Sequence, residues 1–595
     1  MEQEAATPDW AECRRRLRRD AERLRRFQRS KFGYTPLTWF VDPAWLAVLL
    51  HRLSWLTWFN GRQKLGRLFM QLNSIVTGAD IQPGSDFGAG LLIPSPCGVT
   101  LSGRAGRDFT ALALAGVGGS VQGRDVGAGP GLPVLGDEVV AGPFTGIQGG
   151  LRMSDRVFVE GGAGALKDVP PGATMVLLVE PALAEAEPPA IPSGPAPPVA
   201  PCPHGAWSRC RDDIQADLRR YLDDLARYGA GGESRAKRLS ARLSNPLLAL
   251  WIYRRSHWHH VNGRPRLALA LSRLNLLLFK LTITPESCLG GGALIPHLAG
   301  AVFCGRAGAR MTLYANGLCC PSDGGLGASL AEAPQLGDDV TIGGHSGVLG
   351  PVRVGCNVSL AAKVQVVHDV PDGSQVFSPM ARVGEARAGA APAPEREATS
   401  TGSVMDPALP DRGAWAETWR RLRRDRERLA AATGAAGFPA LTCVRLHRLA
   451  HALHVTGRRR LARWCWLANV YLTGADISPA SEIGPGLLVP HPASVALHCR
   501  AGADLIVSAQ SGIAPSRLDA GRLPELTAAP RLGDAVYLAP HSGVYGAVEV
   551  GSGVRLAPGC VLTRSAPAGA SFVAQPLRLR RLRRAGEAID LASFE

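Results

Sequence analysis

The chain has 595 residues, with 66 Lys and Arg against 50 Asp and Glu, for a net charge of +16. That length predicts about three domains. No uncharged apolar run approaches the roughly 20 residues of a membrane span. Met1 to Asp9 is acidic and polar, unlike a secretory leader, so the expected location is cytoplasmic. The basic excess comes without a nucleic-acid recognition motif or aromatic platform, which excludes nucleic acid as the expected partner. The 13 cysteines are scattered with no CxxC pair, so free thiols are expected, with no zinc site and no disulfide framework.

Each third of the chain opens on helical signals. Cys13 to Gln28 repeats Leu and Arg at helical spacing, and a Trp-rich apolar segment follows Pro43, interrupted by His51 and Arg52. From Ile81 an apolar residue recurs every six positions, at Phe87, Ile93, Val99, Ala105, Ala111 and Val117. Six matches neither the 3.6 of a helix nor the 2 of a half-buried strand. It matches short strands joined by tight corners, three to a coil of about 18 residues, stacked as a solenoid. After an irregular insert, Gly118 to Pro133, the beat resumes at Leu135, Ala141, Ile147, Met153, Val159 and Ala165.

The second third repeats the plan: a helical segment from Asn245 to Val261, rungs from Ile283, an insert from Pro321 to Pro334, and rungs again from Leu336. In the last third the segment runs from Ala440 to Val455, the rungs start at Ile477, and they resume at Leu532 after Ala514 to Pro530. Gly often follows the aliphatic residue, as in Leu336-Gly337, Val354-Gly355 and Val550-Gly551; it is expected there for the positive φ of sharp corners. The copies occupy 1–183, 206–384 and 411–580. Pro/Ala-rich linkers at 184–205 and 385–410 divide them, and 581–595 is a tail. The helices are expected to pack on one another and on the solenoid ends, peripheral membrane contact through Trp and Arg being the other reading.

The entries to the rungs, Gly78-Ala79-Asp80-Ile81 and Gly474-Ala475-Asp476-Ile477, and the exits Asp168-Val169-Pro170-Pro171 and Asp369-Val370-Pro371, resemble those of hexapeptide-repeat acyltransferases, specifically the serine O-acetyltransferase branch. The second copy departs at its entry, Lys280-Leu281-Thr282-Ile283. The resemblance implies a left-handed parallel β-helix with an α-helical lead-in, here three times over. It also implies threefold assembly with active sites in clefts between neighbours. Three copies in one chain then form either an intrachain pseudo-trimer or separate units of a homo-oligomer.

The family's catalytic histidine falls in the third rung, at Leu488-Val489-Pro490-His491 and Leu294-Ile295-Pro296-His297; the first copy has Leu92-Ile93-Pro94-Ser95. In the family it is a general base acting on the acceptor, with acetyl-CoA as acyl donor and no metal, and an aspartate 15 residues earlier orients it. Copy three retains both as Asp476 and His491; copy two has His297 with Thr282 in the aspartate position; copy one has Asp80 with Ser95. Asp476/His491 is therefore the expected dyad, with His297 a second candidate. The family's Arg/His pair for an amino-acid carboxylate is missing: its positions read Gly131-Leu132, Glu332-Ala333 and Ala528-Ala529. The acceptor is a small hydroxyl compound: serine, a sugar or a secondary metabolite. In the family a Gly/Ala-rich turn meets the CoA arm. Here it reads Gly344-His345-Ser346-Gly347 and, in copy three, His541-Ser542-Gly543. These are expected either at the cofactor or on a solvent-exposed corner. A non-catalytic scaffold or a regulatory homologue is the alternative to an enzyme.

Overall fold

The computed structural model describes residues 8–29, 35–119, 131–165, 167–176, 182–183, 206–227, 235–321, 332–377, 382–384, 411–433, 438–515, 529–573 and 578–581. The expected linkers at 184–205 and 385–410 lie outside the described residues. In chain order the helices are α1 (Trp10–Arg29), α2 (Pro36–Phe40), α3 (Pro43–Phe59), α4 (Gln63–Thr77), α5 (Trp207–Arg227), α6 (Arg235–Arg242), α7 (Asn245–Val261), α8 (Pro265–Phe279), α9 (Asp411–Thr433), α10 (Ala440–Val455) and α11 (Arg459–Thr473). After α4, α8 and α11 the chain enters short parallel strands that form three left-handed β-helices.

In copy one, Asp86–Phe87 pairs with Arg104–Ala105, and Val134–Leu135 pairs with Arg152–Met153. Each step advances one 18-residue coil, which is why a six-residue beat returns the same side-chain type to the same interior line. Ile81, Phe87, Ile93, Val99, Ala111 and Val117 all lie in one buried cluster, and the other two copies build matching cores. The glycines after the rung residues serve a different end from the one expected. Gly337, Gly355 and Gly551 do not take positive φ. At Gly337 an added Cβ would lie 2.8 Å from the backbone nitrogen of Cys356 in the next coil, so glycine is there for close approach. The left-handed corners are filled instead by residues such as Leu114, Phe144, Asn316, His345, Lys363, Gln510 and His541.

Three buried ion pairs fix the lead-in helices to their solenoids. Arg52 pairs with Asp20, Arg254 with Asp217, and Arg448 with Asp425. Each guanidinium also donates to two rung carbonyls, those of Phe87 and Gly88 in copy one. Each aspartate accepts two backbone N–H groups, such as Gly486 and Leu487 at Asp425.

The copies form a closed ring within one chain. Arg382–Gly384 of copy two pairs antiparallel with Thr174–Val176 of copy one. Ala182–Leu183 of copy one pairs in the same sense with Ser571–Val573 of copy three, setting Leu183 opposite Phe572. Arg578–Arg581 of copy three closes the ring against Ser374–Phe377 of copy two. Each copy's last strand thus completes a neighbour's solenoid. Of the two readings of three tandem copies, this is the intrachain pseudo-trimer. Cys288 is disulfide-bonded, which corrects the expectation of free thiols throughout.

Candidate active site at the clefts between copies

The first face of each solenoid lies against a left-handed corner of the next copy. In copy one, a Cβ built at Gly116 would sit 3.4 Å from His345 Nε2 of copy two; in copy two, one built at Gly347 would sit 3.5 Å from His541 Nδ1 of copy three. In copy three, Gly512 faces Phe144 of copy one. The entry aspartates of copies one and three, Asp80 and Asp476, likewise meet third-rung residues of a neighbouring copy, His297 and Ser95.

His297 Nδ1 of copy two lies 2.6 Å from Asp80 Oδ2 of copy one. Gln82 Nε2 donates to the other carboxylate oxygen at 3.3 Å. Burial opposes a charge on the His297 ring, but the charge and hydrogen bond of Asp80 outweigh it and hold the imidazole above its ordinary value. With Nδ1 engaged, Nε2 is the nitrogen left for an acceptor proton.

The expected pairing of Asp476 with His491 is corrected by the same geometry. Asp476 Oδ1 accepts from Trp466 Nε1 at 2.8 Å, and Oδ2 accepts from the hydroxyl of Ser95 in copy one. Asp476 thus meets a serine of copy one at the position where copy two carries His297. The helix ends Thr77 and Thr473 correspond, so Met70 stands in copy one where Trp466 stands in copy three. In sequence Thr282 of copy two stands where copies one and three carry Asp80 and Asp476, and His491 of copy three corresponds to His297.

The glycine-rich turns lie elsewhere. His345 and His541 are 5 % and 4 % exposed, and Ser346 and Ser542 are fully buried. His541 Nε2–H donates to the Asn316 carbonyl at 2.9 Å, and Nδ1 accepts from Gln365 at 2.9 Å. Gly344 and Gly347 belong to the same inter-copy packing, and Gly543 packs on Tyr545 of its own copy. The burial of His345 and His541 corrects the expectation of a solvent-exposed corner for them.

Lys363, on the same axis, carries no local sequence signal. Its Nζ donates to the carbonyls of Phe144, Gly162 and Ala163 of copy one at 2.7, 2.6 and 2.7 Å. Burial pulls this amine from 10.5 down to about 7. The unfolded chain then holds the extra proton between those values, so stability is expected to rise with pH across that window. Lys363→Met should flatten this rise in urea-denaturation midpoints. Among the described residues no group of three or more His, Cys, Asp or Glu could hold a metal ion.

No family model matches the chain. It is similar to serine acetyltransferase of Mycobacterium tuberculosis, 31 % identical over 130 residues, which is 22 % of this chain and 56 % of that relative. Serine acetyltransferase of Helicobacter pylori is 32 % identical over 137 residues, 22 % of this chain and 78 % of the relative. The chain belongs to the serine acetyltransferase family. Among solved structures, serine acetyltransferase of Neisseria gonorrhoeae matches with a TM-score of 0.26 and 25 % identity, over 30 % of this chain and 66 % of that one. The soybean apoenzyme matches with a TM-score of 0.25 and 24 % identity, over 30 % of this chain and 69 % of that one. The matched stretch spans about half the length of the Mycobacterium relative. A member of the serine acetyltransferase family that carries three β-helices in one chain can vary each cleft independently, which a homotrimer cannot.

Proposed function

We propose that the chain is an acetyl-CoA-dependent O-acyltransferase with its working cleft between copies one and two. The observation that carries this reading is the 2.6 Å contact of His297 with Asp80 across the copy boundary. His297 Nε2 takes the proton of an acceptor hydroxyl as its oxygen attacks the thioester carbonyl. The tetrahedral intermediate then collapses, the C–S bond breaks, and the leaving CoA sulfur receives the proton from the imidazolium. Asp80 holds the ring and stabilises its charged form. Without an Arg/His pair for a carboxylate, the acceptor is a hydroxyl compound other than an amino acid, such as a sugar or secondary metabolite.

The test is free-thiol release from acetyl-CoA with a panel of hydroxyl acceptors that includes L-serine. Turnover that survives His491→Ala but not His297→Ala supports the assignment. A non-catalytic scaffold is the second reading, favoured by the occupation of Asp476 by Ser95 and Trp466. It predicts neither thiol release nor CoA binding with any acceptor.

A further inference from the structure

We infer that the face built by α4, α8 and α11 docks on an anionic lipid surface. Helix α8 packs beside both α4 and α11, and Lys280 Nζ donates to the Tyr471 carbonyl at 2.7 Å, tying copies two and three together there. A helix at a protein surface normally turns its charged side to water. These do otherwise. Their inner sides are already buried, through residues such as Asn73, Asn275 and Asn469. Their outer sides still carry apolar residues at helical spacing: Leu68 and Leu72, Leu274 and Leu277, Leu461 and Trp464 are 38 to 54 % exposed.

Charge selects the occupant. The three helices contain no Asp or Glu, and each is preceded by an arginine: Arg62, Arg264 and Arg458. A second copy of this face would set like charges against each other. An anionic bilayer complements them, while the leucines and Trp464 enter the boundary between headgroups and acyl chains. No described helix is long and apolar enough to cross a membrane, so the protein would lie on the surface.

Flotation of the full chain with vesicles tests this. Vesicles of phosphatidylcholine containing about a quarter phosphatidylglycerol should bind at least about tenfold more protein than phosphatidylcholine alone, and salt should weaken the binding. Leu68→Glu/Leu274→Glu/Trp464→Glu should lower binding about tenfold or more at unchanged melting temperature. Should that variant misfold, Arg62→Gln/Arg264→Gln/Arg458→Gln keeps the apolar stripe and should lose the preference for phosphatidylglycerol. Equal binding to both vesicles, or binding to neither, overturns the inference. So does a wild-type pair of chains in gel filtration that the glutamate variant splits, since a second copy would then cover the face. None of these readouts depends on turnover.

Discussion

His297→Ala is expected to lower kcat by about 10²- to 10⁴-fold, the usual worth of a positioned general base. Asp80→Ala should produce a smaller loss, and the double variant should fall little below His297→Ala alone, because the carboxylate acts through the ring. The pH profile separates this from a structural role. A general base must be neutral, so kcat rises with pH through the His297 pKa, which Asp80 holds above the ordinary value against the opposing effect of burial. Asp80→Asn removes the charge that raises it, and the acid limb should move to lower pH. The linkage to stability has the opposite sense. With the folded pKa raised, the pair's contribution is fully present below the unfolded value near 6.5 and is lost as pH climbs through the folded one. An acid limb that stays in place in Asp80→Asn would separate the residues functionally.

Arg448→Met is expected to destabilise copy three by about 3–5 kcal/mol, the cost of breaking a buried ion pair from one side. Arg448 and Asp425 are both 1 % exposed, and the guanidinium also holds the carbonyls of Ile483 and Gly484. Methionine fills much of the volume but leaves the Asp425 carboxylate buried without its counter-charge and the Gly484 carbonyl without its guanidinium donor, while Arg421 still donates to Ile483. The measurement is the denaturant midpoint of the variant against wild type. Arg448→Met/Asp425→Leu should lose less than the two single changes added together, since the second substitution removes the stranded charge. Additive losses would mean that helix docking does not depend on the pair.

What is legible in the chain follows from which interactions are local. The six-residue beat is a property of consecutive rungs, so Ile81, Phe87 and Ile93 announce one interior line without any partner being known. The candidate bases His297 and His491 are equally readable, because the third rung lies at a fixed distance from the entry. The pairing of base and carboxylate is not readable, because spacing along the chain is not proximity across a cleft. Asp476 and His491 share a copy, but the first face of one copy meets the corner of the next. The buried Arg52, Arg254 and Arg448 read as interruptions of apolar segments, since their aspartates lie 23 to 37 residues away.

The sequence by itself determined the solenoid, its three copies, the inserts and the set of possible catalytic side chains, since each depends on periodicity or on a short motif. Only the tertiary structure decided that Asp80 of copy one meets His297 of copy two and that His345 and His541 are interior. Those outcomes depend on the ring of three copies, whose contacts join residues such as Asn245 and Gln71, 174 positions apart, and Gln365 and His541, 176 apart, through packing that no local pattern records.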